Sequence, residues 1–333
     1  MSKNKQTSFK TAIVGCGRIA HALDADSSDE LVLTHAKAYS VCSTTELTGV
    51  CDTDAGAAKR CASAYGAIFF TDFRDMLEKC SPDIVSICTP DETHLDMLSI
   101  CAEFPVKAVW CEKPVGTHGQ NPEPVIRKLE QNSIVVAVNY MRRWEPEHVR
   151  IADAIRTGEY GSVTKILAYY SKGFIHSGSH FVDLFISWFG KPESWQVLGS
   201  VADSGDDDPA LDILLHFPGS VKAYLLAGNV KHYSMDEIDV WAEKIRVRIA
   251  DYSKFVHFRR PTFDDASGKC KLTEPVESRR TSYDRLMLTI LESIVAAVLT
   301  GSALPSTGRT AVETLNLCEN ILAQYYRQSR NGN

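Results

Sequence analysis

Between Lys10 and Asn139 short apolar runs alternate with stretches of helical texture, and this alternation constrains the fold more than anything else in the chain. The runs are Thr11–Val14, Leu47–Cys51, Ala67–Phe70, Ile84–Cys88, Ala108–Cys111 and Ile134–Val138. Most are continuously apolar, as parallel strands covered on both faces must be. Ala55–Tyr65, Phe73–Lys79 and Leu95–Ala102 between them have helical composition. Repeated βα units of this kind specify an α/β fold with a doubly wound parallel sheet.

After Trp144 the texture changes. Helical Glu147–Thr157 leads to Val163–Tyr170 and to a second helical run, His180–Phe189. Longer strand candidates follow at Ser194–Ala202, Leu211–Phe217, Val221–Ala227, Ile238–Ala242 and Lys244–Ala250, several alternating apolar with polar residues. That is the pattern of a large, mainly antiparallel open sheet with one face on helices. Its other face is expected to meet a twin subunit, giving a homodimer or homotetramer. In the last helix Ala311, Leu315, Cys318, Leu322 and Tyr325 fall on one stripe, which reads as core. The acidic run Asp203–Pro209 reads as a surface loop. A chain of 333 residues exceeds what one core serves, so we expect an N-terminal Rossmann domain over 1–142 and an α+β domain over 143–333.

A net charge of −6 leaves no basic footprint for nucleic acid. No apolar run reaches the roughly 20 residues that span a bilayer. The polar start MSKNKQTSFK runs straight into a strand, which argues against a signal peptide and for the cytoplasm. The 10 cysteines form no CxxC pair, so they read as reduced thiols acting as small hydrophobes, with no metal site.

Gly15-Cys16-Gly17-Arg18-Ile19-Ala20 follows the first strand directly. In such a motif the first glycine makes the turn, the second lets backbone approach a pyrophosphate, and the small third residue lets helix pack on strand. The phosphate is expected at the following helix N-terminus. Asp52 ends the second strand, where a carboxylate accepts from the adenine ribose hydroxyls; with Asp54 nearby and no arginine directly after it, NAD is favoured over NADP. Asp52 lies about thirty residues past the glycines instead of the roughly 20 usual. The excess is an insertion around 22–33, expected to extend the first helix or its loop.

Taken in order, several motifs resemble the Gfo/Idh/MocA family over nearly the whole chain. They are Gly15–Ala20, His35-Ala36-Lys37-Ala38, Cys51-Asp52, Thr71-Asp72-Phe73, Asp83–Pro90 with His94, Glu112-Lys113-Pro114, Asn139–Pro146 and Gly178–Asp183. The resemblance implies a two-domain NAD(P)-dependent sugar or cyclitol oxidoreductase that oligomerises through its C-terminal sheet. It implies a cofactor site of Gly15, Gly17, Arg18, Ile19, Ala20, Asp52, Thr89, Pro90, His94, Glu112 and Lys113. It also implies a cis Lys113–Pro114 peptide.

Hydride transfer at a secondary alcohol needs a group to carry the hydroxyl proton and positive charge where an alkoxide develops. Lys113 follows a strand at the carboxyl edge of the sheet, where doubly wound folds bind ligands; by itself a Lys-Pro there reads more readily as a solvated turn. In the family this lysine faces nicotinamide and substrate, and the histidine at His180 is the general acid/base, with Asp183 near it. A lone histidine in HFVDLF would otherwise read as a core or capping residue. The family often has aspartate four residues before that histidine; here stands His176. His176 and His180 could ligate a metal, but HSGSH contains Gly178 and no third ligand is evident. Lys113, His180 and His176 are therefore the catalytic candidates, and Lys113, Arg143, His176, His180 and Asp183 the substrate-binding ones. Arg142, Arg143 and Lys172 read equally as surface charge.

With no carboxylate at 176 we expect an electropositive pocket suited to an anionic sugar. The expected activity is NAD-dependent hydride transfer to or from a sugar, a nucleotide-linked sugar or a cyclitol. Tyr169–Asp183 is similar to family members of bacterial surface-polysaccharide biosynthesis. The alternatives are an NAD-dependent glycosidase, which returns the hydride, and a sugar- or dinucleotide-sensing regulator, which needs no proton carrier.

Overall fold

The computed structural model describes residues 8–25, 27–201, 208–272, 274 and 277–331. It separates into two compact units, Met1–Trp144 with Asp284–Glu313, and Glu145–Tyr283 with Thr314–Asn333.

In the first unit β1 (Phe9–Val14), β2 (Thr45–Cys51), β3 (Ile68–Phe70), β4 (Ile84–Ile87), β5 (Ala108–Cys111) and β6 (Val135–Val138) form one sheet in the order β3-β2-β1-β4-β5-β6. All five pairings are parallel. Ile13, Val50, Val85 and Val109 are fully buried, because both faces are covered. The helices are α1 (His35–Val41), α2 (Ala55–Tyr65), α3 (Phe73–Cys80), α4 (His94–Cys101) and α5 (Glu123–Gln131). Asp54 and Asp72 cap α2 and α3 through their carboxylates, and Gly66 ends α2 in the left-handed conformation. The order of strands reverses between β1 and β4, which places the switch point beside the glycine loop.

Residues 284–313, assigned from sequence to the second domain, fold with the first. Helix Leu286–Thr300 buries Leu286, Met287, Ile290, Leu291 and Ile294. Asn139 donates to Met287 Sδ at 3.6 Å, and Val32 N–H donates to the Asp284 carbonyl at 2.7 Å. The apolar face of that helix belongs to the Rossmann core, a pairing that periodicity alone cannot assign.

The second unit contains α6 (Pro146–Arg156) and α7 (Ser179–Phe189) with a sheet of eight strands. These are β7 (Val163–Ser171), β8 (Ser194–Ser200), β9 (Leu211–Phe217), β10 (Val221–Gly228), β11 (Asp236–Ala242), β12 (Arg246–Ala250) and β13 (Phe255–Arg259), and, after a separate hairpin of β14 (Pro261–Asp264) and β15 (Lys269–Leu272), β16 (Glu277–Arg280). The order is β16-β13-β12-β11-β7-β10-β9-β8, antiparallel except for β7 with β10. Ile166, Ala168, Leu225, Ile238, Val240 and Val247 face the core with α7 and with Cys318 and Ile321 of the C-terminal helix. Residues 203–207 of the acidic run lie outside the described residues. Nine cysteines are buried and unpaired, and Cys270 on the hairpin is exposed. No described helix is long and apolar enough to cross a membrane.

Candidate active site

The glycine loop leaves β1 at Gly15, whose φ of +86° and whose absent Cβ, otherwise 2.5 Å from the Cys88 carbonyl, leave no alternative to glycine. Gly17 faces open space on its Cβ side, as a backbone that receives a pyrophosphate must. Ala20 is fully buried, Ile19 half-buried and Arg18 exposed. Asp52 Oδ2 accepts the Cys16 N–H at 2.7 Å, and Oδ1 accepts the Asp54 N–H at 2.8 Å. The carboxylate thus ties the loop to the end of β2. Thr89, at the end of β4, has a buried Oγ1 with no partner in the structure. An open glycine, a tethering aspartate and an orphaned hydroxyl at one sheet edge fit a dinucleotide.

The helix after the loop differs from expectation. Only one π-helical turn, Arg18–Ala22, follows Gly17, and α1 begins at His35. The insertion forms the intervening loop because Asp24, 2% exposed, accepts the Leu33 N–H (2.6 Å), the Thr34 N–H (3.0 Å) and the Thr34 hydroxyl (2.7 Å).

Lys113 follows β5 at the same edge, and its peptide to Pro114 is cis. Two neighbours expected at the cofactor turn inward instead. His94 is fully buried, with Nδ1 2.6 Å from the Pro114 carbonyl and Nε2 2.8 Å from the Thr89 carbonyl. Both ring nitrogens are engaged by backbone, so His94 holds two site loops together and acts through them. Glu112 Oε1 takes the Asn139 amide at 2.5 Å and lies 3.0 Å from Nε2 of fully buried His35. His35 Nδ1 lies 2.8 Å from Ser86 Oγ, which is 2.7 Å from Tyr39 Oη, and the His35 ring leans on Trp110 with centroids 3.9 Å apart. Burial alone would raise the Glu112 carboxyl. The hydrogen bond and charge of His35, the Asn139 amide and the Lys113 charge outweigh it and hold the group below the ordinary carboxylate range. Arg143 is also buried, its guanidinium donating to the Pro305 carbonyl at 3.4 Å. Pro90 is exposed at the same sheet edge.

In the second unit a π-helical turn, Phe174–Gly178, runs into α7. His176 is exposed on that turn and His180 half-buried as the second residue of α7. Asp183, expected to touch substrate, is 1% exposed and accepts the Thr314 hydroxyl at 2.9 Å, a packing role within its own unit. Among the described residues no three His, Cys, Asp or Glu side chains gather as metal ligands.

Residues 9–140 match the model of the Gfo/Idh/MocA oxidoreductases, described as an oxidoreductase family with an NAD-binding Rossmann fold. They belong to that family. An inositol 2-dehydrogenase of Rhizobium meliloti is 26% identical over 86% of this chain and 91% of its own. The WlbA dehydrogenase of Bordetella pertussis, solved with NADH and UDP-GlcNAcA, superposes with a TM-score of 0.74 at 18% identity, covering 98% of this chain and 97% of that one. A UDP-N-acetylglucosamine 3-dehydrogenase from Acidithiobacillus ferrooxidans superposes at 0.73 with 16% identity over 94% and 96%. The NAD-binding Rossmann region, residues 9–140, is thus that of the Gfo/Idh/MocA oxidoreductases, and over most of its length the chain is similar to an inositol dehydrogenase.

One carboxylate at the family's histidine segment escaped the sequence. Asp208 Oδ1 accepts the Ile175 N–H at 2.8 Å and Oδ2 the His176 N–H at 2.9 Å. A carboxylate thus meets the backbone of residues 175 and 176, although residue 176 itself carries an imidazole. The signal in the sequence was Gly173, where a Cβ would stand 1.8 Å from Asp208 Oδ2.

Proposed function

We propose that this Gfo/Idh/MocA protein passes hydride between NAD and a secondary alcohol or ketone of a sugar, a nucleotide-linked sugar or a cyclitol. The observation that carries this reading is one edge of the parallel sheet, where the Gly15–Gly17 loop, Asp52 and Lys113 follow the ends of β1, β2 and β5. The bound nicotinamide supplies or takes the hydride. Lys113 polarises the reacting oxygen, and the His180 imidazole, a side chain suited to proton carriage near neutral pH, carries its proton. His176 stands beside this segment as a donor to substrate. Asp52 and Asp54 favour NAD, since a 2′-phosphate would meet two carboxylates with Arg60, 4.0 Å from Asp54, as the nearby cation.

The reading extends to the whole protein. Buried thiols suit a reducing compartment, so we assign it to the cytoplasm. The face of the eight-stranded sheet away from its core carries Leu167, Tyr169, Tyr224, Leu226 and Trp241. Trp241 is 42% exposed. An apolar, aromatic strip of that kind suits pairing with a second copy, as a homodimer or homotetramer. For a nucleotide-linked sugar, the consuming process would be polysaccharide assembly.

The test is nicotinamide absorbance with NAD or NADP against myo-inositol, UDP-N-acetylglucosamine and its uronic acid. We expect net NADH with one of them, NAD bound at least about tenfold more tightly than NADP, and a loss of about a hundredfold or more in kcat for Lys113→Met. Glycoside hydrolysis with no net NADH would replace the reading by a transient oxidation. Tight binding of NAD and sugar without turnover would replace it by a sensor. Equal affinities for the two dinucleotides would overturn the assignment of NAD.

A further inference from the structure

The π-turn that leads into the helix carrying His180 has a glycine at its N-cap, so it cannot cap itself. Gly173 is the N-cap of the π-turn, with φ −66° and ψ 158°, and it has no side chain to accept the first amides. Those amides are nonetheless satisfied, from a segment more than thirty residues away in sequence. Phe174 N–H donates to the Pro209 carbonyl at 3.1 Å, and the next two, Ile175 and His176, donate to the two oxygens of Asp208 at 2.8 and 2.9 Å.

We propose that Asp208 is a positioning residue for the proton-carrying helix, a displaced N-cap that fixes the π-turn leading into α7, where His180 stands. The inference rests on the reading of His180 as proton carrier. Three further observations support it. A Cβ at 173 would lie 1.8 Å from Asp208 Oδ2 and 2.1 Å from its Cγ, so glycine at the cap is what admits the carboxylate. The segment after Asp208 is pinned by fully buried Tyr170, whose hydroxyl donates to the Leu211 carbonyl at 2.7 Å and accepts the Leu211 N–H at 2.8 Å. The turn in turn packs on Tyr170: a Cβ at Gly178 would meet the Phe174 ring at 2.6 Å and the Tyr170 ring at 3.2 Å. A carboxylate at this end also complements the helix dipole. The position four residues before His180 holds a histidine, yet a carboxylate still stands against that residue's backbone, delivered by a different part of the chain.

A displaced cap can be moved back, and that is the test. Asp208→Asn keeps the shape but weakens the acceptor. Asp208→Gly with Gly173→Asp removes the distant carboxylate and rebuilds a local one. Hydrogen exchange at the Ile175 and His176 amides is read with no substrate, beside kcat and KM for whichever of myo-inositol or UDP-N-acetylglucosamine turns over. In Asp208→Asn and Asp208→Gly we expect those amides to exchange about tenfold faster or more. We expect kcat to fall by about tenfold to a hundredfold, with KM and the NAD Kd held within about twofold. The exchanged pair should recover both exchange and most of kcat. Unchanged exchange and kcat in Asp208→Gly, or a double variant no better than Asp208→Gly alone, would overturn the proposal. Slow exchange restored by the double variant with neither compound turned over would leave the cap standing and count against the choice of substrate, a separate failure.

Discussion

Glu112 separates what a motif tells from what a side chain does. Its place beside Lys113 was legible, because the Glu-Lys-Pro triplet marks the carboxyl end of β5; the direction of its carboxylate was not, since His35, Ser86, Tyr39 and Asn139 are brought to it by other strands and helices. Its folded-state pKa is depressed, so its contribution to stability is fully present above the unfolded value near 4.5 and is lost as pH falls through the folded one. Glu112→Gln should therefore cost about 2 kcal/mol at pH 7. The gap from wild type should narrow as pH drops below about 4.5. Urea unfolding of the first unit at several pH values measures this, and a gap independent of pH would refute it. The direction of the His94 ring, toward the Thr89 and Pro114 carbonyls, was hidden for the same reason. The turn at Gly15 and the place of Asp52 at the end of β2 were legible because turn sterics and strand-end chemistry leave little choice at those positions.

At the scale of elements, the buried parallel strands β1 to β6 were readable as apolar runs, while β13 to β16 were not. Of these, β14 to β16 are short and largely exposed, as in Lys269–Leu272 and Glu277–Arg280, and carry little periodicity to detect, while β13 buries only Val256 and Phe258 in a five-residue run. The insertion was visible as excess length, but its form depends on one buried carboxylate. Asp24 accepts three hydrogen bonds that turn the chain from the π-turn after Gly17 into α1. Asp24→Ala leaves those donors without their acceptor, and should cost about 2–4 kcal/mol. The start of α1 should exchange its amides faster in the same variant. A stability change within about 0.5 kcal/mol would mean that the loop holds itself.

For the whole molecule, the proposed subunit contact makes a sharp claim about one tryptophan. Trp241 lies under both Lys165 Nζ, 5.8 Å from its ring, and Arg246, 5.6 Å from it, on the open side of the sheet. Trp241→Glu would place a charge at the centre of a contact that excludes water, and should drive the protein to monomers in sedimentation, with about tenfold weaker association or more. A wild type already monomeric at micromolar concentration would end the idea. The placement of helix Leu286–Thr300 with the first unit was hidden from the sequence, which says that a face is apolar and leaves its partner open.

The distribution of cysteines gives the protein a built-in gauge of its own integrity. Burial pushes the thiols of Cys51, Cys88, Cys101 and Cys111 upward, keeping them protonated and slow to react. Cys270 alone stands in water on its hairpin. A thiol reagent should therefore consume one equivalent from the folded chain and all 10 after denaturation. The remaining nine become a clock for opening, those of the glycine-loop region reporting on one unit and Cys318 on the other. Adding NAD should slow the first group and leave Cys318 at its own pace, a difference that labelling followed by peptide mass measurement would resolve. Equal slowing of both would mean that the two units open together.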